Sequence, residues 1–324
     1  MGLYGSGNFR AAHQGYAHYK LQTSRLVAMS AVADPSLQGT VNTAIGVCSL
    51  PALNRDEGIR DVEGIGASRD LAKVPGLRTY TMQTRIEVAN GTFLTYAIRD
   101  RSDPDKAGTV GGLQLLTIET GTDPAFGDGY AEQALDCLIN SLSLDIAENQ
   151  NLVADVETWP AVALEQPSPA TIVLPAADVL YWSNLTVKDA GGTDYHSILS
   201  RASVRVQNGL QRRGMRQQFG ALGTAELAIS RTCYKIVPLL EKLTLSYGLH
   251  DRLPSALRDT DDWAAVTLRA EAAGTGAGRK YVQVVVDHNY LNRQGRQQAP
   301  ANQMLTWTVD TASYAVAITS GVTT

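Results

Sequence analysis

"YAEQALDCLINSLSLDIAENQNLVADVETW", residues 130–159, carries two periods in one stretch. In its first part Ala131, Ala134, Leu135, Leu138, Ile139 and Leu142 recur three and four residues apart, the spacing of one helical face. This predicts a helix over about 129–142, with Asp128 as its N-cap. From Ser141 the period falls to two, with Leu142, Leu144 and Ile146 on one face and Ser141, Ser143 and Asp145 on the other. "LVADVETW" alternates too, so the two segments predict a long antiparallel hairpin across "AENQN". Asp145, Asp155 and Glu157 then share the polar side of a single ribbon.

Upstream, "RTYTMQTRIEV", "FLTYAIRD" and "LQLLTIET" read as strands. Two turn-rich loops, "RSDPDKAGTVGG" and "GTDPAFGDG", separate what surrounds them. Downstream, "WPAVALEQPSPATIVLP" holds Pro160, Pro167, Pro169 and Pro175, a density that predicts a stiff connector over about 160–175. Strand patterns resume in "VLYWSNLTV", "RASVRVQ", "ELAISRTCYKIVP", "EKLTLSYGL", "WAAVTLRAE", "KYVQVVVDHNY", "QMLTWTVD" and "YAVAIT". Turns are signalled by "KDAGG", by Asn208-Gly209 and by "AAGTGAGR", a hairpin tip containing Gly274, Gly276 and Gly278.

Half the chain also echoes the other half. Val74, Pro75, Leu77 and Thr81 recur as Val237, Pro238, Leu240 and Thr244, each 163 residues later in a chain of 324. Met82 and Ile86 meet Leu245 and Leu249 at the same offset. The connector falls where that offset puts a boundary, which predicts two β-rich domains, 1–165 and 166–324.

Composition narrows function. A net charge of −4 does not suit a general nucleic-acid binder. No apolar run approaches the ~20 residues of a membrane span, and the N-terminal residues lack the basic-then-apolar pattern of a signal peptide. "MGLYGS" fits a myristoylation pattern at Gly2 and Ser6 but reads as an arm, since no polybasic partner follows. Three cysteines, Cys48, Cys137 and Cys233, without a CxxC, suit reduced structural thiols.

Tests for chemistry fail. In "GTGAGRKY" Arg279 separates Gly278 from Lys280 and Tyr281 replaces the hydroxyl residue of a phosphate loop. None of the five histidines lies in a metal-binding spacing. Asp287 and His288 are neighbours on a strand, so they point to opposite faces, and no GxSxG supplies a nucleophile. Neither catalysis nor a cofactor is expected. Arg212, Arg213 and Arg216 in "LQRRGMR" suit either phosphate or the carboxylates of a neighbouring subunit, and the acidic net charge favours the second.

"NRDEGIRDVEGIGASRDLAKVPGLRTYTMQTRIEVANGTFL" and "SVRVQNGLQRRGMRQQFG…ISRTCYKIVPLLEKLTLSYGLHDRLPSALRD" both resemble an element of the tail tube proteins of long-tailed bacteriophages. The resemblance implies a mainly β fold: two tandem β-sandwich or rolled-barrel tail-tube-like domains with long hairpins, long loops and one or two helices. It implies a structural virion protein, not an enzyme, made in the host cytoplasm and built into the tail. Its rings would stack into a hollow tube around a tape-measure protein, between tail terminator and tip proteins, and DNA would pass through transiently. Two domains per chain favour a trimeric ring over a hexameric one. Asp145, Asp155 and Glu157 would line the lumen, Arg212, Arg213 and Arg216 the subunit interface, and the loop of Gly274, Gly276 and Gly278 the ring-to-ring contact. The alternative is a carbohydrate- or receptor-binding β-sandwich module of a virion, which would display aromatic side chains along one face.

Overall fold

A computed structural model describes residues 15–25, 41, 43–49, 51–62, 72–75, 77–122, 130–166, 179–215, 233–250, 265–272, 277–297 and 306–322. The first half contains β1 (Gly15–Leu21), β2 (Thr43–Ala44), β3 (Val47–Cys48), β4 (Ala52–Asp56), β5 (Ile59–Val62), β6 (Ala72–Pro75) and β7 (Thr79–Glu87). A single-turn helix α1 (Thr92–Thr95) follows, then β8 (Thr109–Val110), β9 (Leu113–Gln114), β10 (Leu116–Thr122), β11 (Ala131–Ala147), β12 (Val153–Trp159) and β13 (Val162–Gln166). The second half contains β14 (Leu180–Lys188), β15 (Leu199–Gln207), β16 (Leu210–Met215), β17 (Cys233–Pro238), β18 (Lys242–Leu249), β19 (Val266–Ala272), β20 (Lys280–Gln297) and β21 (Thr306–Val322). The protein is mainly β, as its patterning predicts.

The helix expected over 129–142 is instead the first part of the 17-residue strand β11. Two bulges explain the misleading spacing. Leu116 faces Cys137 and Ile118 faces Ala134, so Thr117 alone opposes Leu135 and Asp136, and Asp136 takes φ +51°. Asn140 is likewise extra between the pairs Ile139–Thr158 and Ser141–Glu157. The positions in the main core become Ala134, Cys137, Ile139 and Leu142, while Leu135 and Leu138 enter a second core on the opposite face. Steps of three, two and three, with both faces buried, imitate a helical stripe.

Three smaller corrections follow. "FLTYAIRD" is not a strand: the Thr92 N–H donates to Asn90 Oδ1 at 2.9 Å and starts the turn of α1, which buries Phe93 and Leu94. "QMLTWTVD" and "YAVAIT" contribute to one strand, β21. The connector begins as strand β13, which pairs with Ala131–Leu135 of β11; its later prolines, Pro167, Pro169 and Pro175, lie outside the described residues, as does Asp128.

Pairing reveals a repeated order. In the first half the strands run β1–β10–β11–β12–β7–β4, each antiparallel to the next. In the second they run β14–β19–β20–β21–β18–β15, in the same chain order and the same sense. Local detail repeats with it. Opposite the bulge at Asn140 stand Glu157 and Thr158; β20 has a matching bulge at Asn292, opposite Asp310 and Thr311. Thr158 Oγ1 donates to the Met82 carbonyl at 3.3 Å, and Thr311 Oγ1 donates to the Leu245 carbonyl at 3.1 Å. Each half inserts a two-stranded hairpin, β5–β6 or β16–β17, between β4 and β7 or between β15 and β18. Each hairpin begins at a left-handed glycine, Gly58 (φ +59°) or Gly209 (φ +55°), beside the carbonyl of Leu77 or Leu240.

The halves meet in one sheet. Beyond β10, the edge of β11 accepts β15, with Ser141 opposite Gln207, Ser143 opposite Arg205 and Asp145 opposite Ser203. The resulting 15-stranded sheet bends back on itself without closing as a barrel. Its apolar sides enclose a core drawn from both halves, leaving a void of about 20 Å³ among Leu144, Ile146, Leu185, Ala202, Leu268 and Val284. The first strand of the second half also reaches the β11–β12 turn, where the Trp182 N–H donates to the Gln150 carbonyl at 3.0 Å.

Candidate functional site

Two features are built by this topology: a broad polar face and a joint between halves. The face is the outer side of β7, β12, β11, β15, β18 and β21, because alternation sends Leu142, Leu144, Val156 and Val204 inward and their neighbours outward. Its rows are fixed by register: Arg85, Asp155, Ser143, Arg205 and Thr244 in one, and Asp145, Ser203, Ser246 and Asp310 in the next. A groove of about 630 Å³ runs over Gln83, Arg85, Asp155, Glu157, Ser143 and Arg205. A second, of about 320 Å³, continues over Arg205, Ser203, Thr244 and Asp310.

Asp145, Asp155 and Glu157 therefore do share one face, but the face is not an acidic wall. Arg201 Nε donates to Asp145 Oδ1 at 3.1 Å, and Arg85 stands 4.0 Å from Asp155. Partial burial pushes the Asp145 carboxyl up, yet hydrogen bonds from Arg201 and Ser143 outweigh it and hold the group below the usual aspartate range. Glu157 accepts from Trp159 Nε1 at 2.7 Å and from Asn140 Nδ2 at 3.1 Å, which anchors it to the bulge. Cations and carboxylates interleave, so the potential over the face is close to balanced.

The joint is where hairpin β16–β17 of the second half settles on the first. Leu210 and Ile236 complete a core with Leu113, Leu115, Leu135 and Leu138, and Leu77 packs at its margin. Burying Leu210 to 7 % exposure contributes about 1.5–3 kcal/mol. The Leu210 N–H donates to Asn140 Oδ1 at 3.0 Å, and the Asn208 N–H to the Asn140 carbonyl at 2.7 Å. Asn208, fully buried, donates through Nδ2 to the carbonyls of Ala97 and Ile139 at 2.9 and 3.0 Å and accepts from Arg99 Nε at 3.1 Å. Such saturation is what a buried amide requires.

Arg212 belongs to this joint. Its guanidinium lies 3.9 Å from the centre of the Trp159 ring and also donates to the Tyr80 carbonyl. The residue assigned from sequence to a contact between subunits makes one between halves of the same chain. Arg213 is opposite Lys235 in the hairpin, and Arg216 lies outside the described residues. Gly278 is at the described end of the β19–β20 hairpin with φ +88°, whereas Gly274 and Gly276 lie outside it.

Sequence reading missed Asn140, the extra residue of the bulge, and read Asn208 only as part of a turn, not as a buried amide joining the halves. "VET" at 156–158 and "VDT" at 309–311, with Asn140 and Asn292, were the available signals. Among the described residues no group of three or more His, Cys, Asp or Glu could hold a metal ion, and no helix is long and apolar enough to cross a membrane. No family model matches the chain, and no curated protein matches it.

Proposed function

We propose that the chain is a tail tube subunit of a long-tailed bacteriophage, a structural protein that forms rings with copies of itself. One observation carries this reading: the six-strand order, with its bulge, hairpin and left-handed glycine, occurs twice and is joined edge to edge through β11 and β15. On this reading each half is one domain and the β11–β15 pairing is one of the ring's repeated joints. Six such units close a ring when three chains each supply two. Closure removes the strand edges that each chain otherwise presents.

The polar face becomes the wall of the lumen. A wall of interleaved Arg85, Asp155, Arg205 and Asp145 offers DNA no run of cations to grip, so the polymer slides. The tape-measure protein occupies that lumen during assembly, and terminator and tip proteins cap the tube. The rival carbohydrate-binding reading needs aromatic rings on an open face; Trp182 is buried and Trp159 lies beneath Arg212. Negative-stain microscopy of the concentrated protein tests the proposal. Hollow rings or tubes are expected, and a protein that remains a monomer at every concentration would refute it.

A further inference from the structure

The internal repeat gives three apolar residues of the joint, Leu210, Leu138 and Leu77, counterparts that are exposed. Leu210 is paired with Pro238, and Ile59 with Pro75, at the same point of the two hairpins. Leu210 is 7 % exposed in the second core, but Ile59 is 54 % exposed. The surface that receives Leu210 includes Leu138 and Leu77. Their counterparts by strand position, Tyr290 and Leu240, are 39 % and 68 % exposed. The β11 edge that accepts β15 has its counterpart in β20 beyond β19, where the described pairings run to β21 alone. The counterpart of β15 is β4, whose described pairing is to β7 alone.

We propose that a second copy of this chain docks head to tail at these surfaces, reproducing between molecules the joint seen within one. Hairpin β5–β6 of one copy carries Ile59 onto Leu240 and Tyr290 of its neighbour. Strand β4 adds to the open edge of β20 in a defined register. Carrying over the pairing of Ser141 with Gln207 puts Arg293 opposite Asp56; carrying over Ser143 with Arg205 puts Gly295 opposite Asn54. The Ile59 N–H comes to the second bulge, at Asn292, as the Leu210 N–H comes to the first, at Asn140. The interface is heterologous, so copies add in one direction, and it leaves open whether they close.

The proposal rests on the reading of the chain as a self-assembling subunit, but it does not require a tube. Mixing Asp56→Cys protein with Arg293→Cys protein under mild oxidation tests it. Opposed residues of an antiparallel pair have Cα atoms about 4.5–5.5 Å apart, within disulfide reach. A covalent dimer is expected from the mixture above the background of the unmodified protein, and from neither variant alone. Ile59→Arg and Leu240→Arg should each weaken self-association at least ~tenfold while leaving the melting temperature of the single chain unchanged. Asp56→Cys linking to itself would overturn the head-to-tail geometry. Rings that form while the mixed pair stays unlinked would overturn this joint and leave the tube reading intact. A linked pair without tubes would support the joint and remove the tube.

Discussion

Asp145 shows how a single residue's setting alters what its sequence suggests. Alternation alone places it on a polar face with Asp155 and Glu157, and three carboxylates on one face imply repulsion. The register of β15 brings Arg201 alongside, and the carboxyl is held below its ordinary range despite partial burial. A lowered carboxyl stabilises the fold above the unfolded aspartate value, near 3.9, and that contribution is lost as the pH falls through the folded value. Asp145→Asn should therefore lower the melting temperature at neutral pH by about 1–2 °C, the modest effect of a half-exposed pair. The gap between the variant and the parent should narrow as the pH is taken down to about 2. A gap of constant size in thermal melts across that range would show that the ion pair is not its source.

At the scale of elements, the two hairpins make the clearest demand on residue type. A Cβ at Gly58 would lie 2.2 Å from the Leu77 carbonyl oxygen, and one at Gly209 would lie 2.7 Å from that of Leu240. Both glycines also hold a left-handed φ that costs other residues about 1–2 kcal/mol. Gly58→Ala and Gly209→Ala should each lower the melting temperature by about 2–6 °C. An unchanged melt in either variant would mean that the chain relaxes around the methyl group. The Val74–Val237 echo, legible in the sequence, marks the end of these hairpins. Much of the remaining repeat was hidden because loop lengths differ. Gly58 and Gly209 are 151 apart, Val74 and Val237 are 163 apart, and Thr158 and Thr311 are 153 apart, so no single offset aligns them. The long hairpin of β11 and β12 was legible from Ser141 onward, where period two is undisturbed. It was illegible before that, because bulges at Asp136 and Asn140 each insert a residue and shift the inward positions. The site followed the same division: Asp145, Asp155 and Glu157 could be placed on one face, but the cations opposite them depend on cross-strand register, which local patterning does not encode.

At the scale of the molecule, the proposed reading of the two halves as fused ring units changes what assembly requires. One edge joint is already made within the chain, so its loop-closure and ordering costs are met during folding and not during association. The core drawn from both halves joins them, and on the proposed reading the exposed Ile59, Leu240 and Tyr290 face the next copy. The second half's longer hairpin makes the intrachain joint, and the proposed joint leaves the shorter one for the neighbour, so the two joints need not be equally strong. The mass of isolated rings, measured by native mass spectrometry alongside rotational class averages, tests this most directly. Three chain masses with six similar lobes are the expected result. Six chain masses per ring, or a ring whose lobes number the same as its chains, would contradict it.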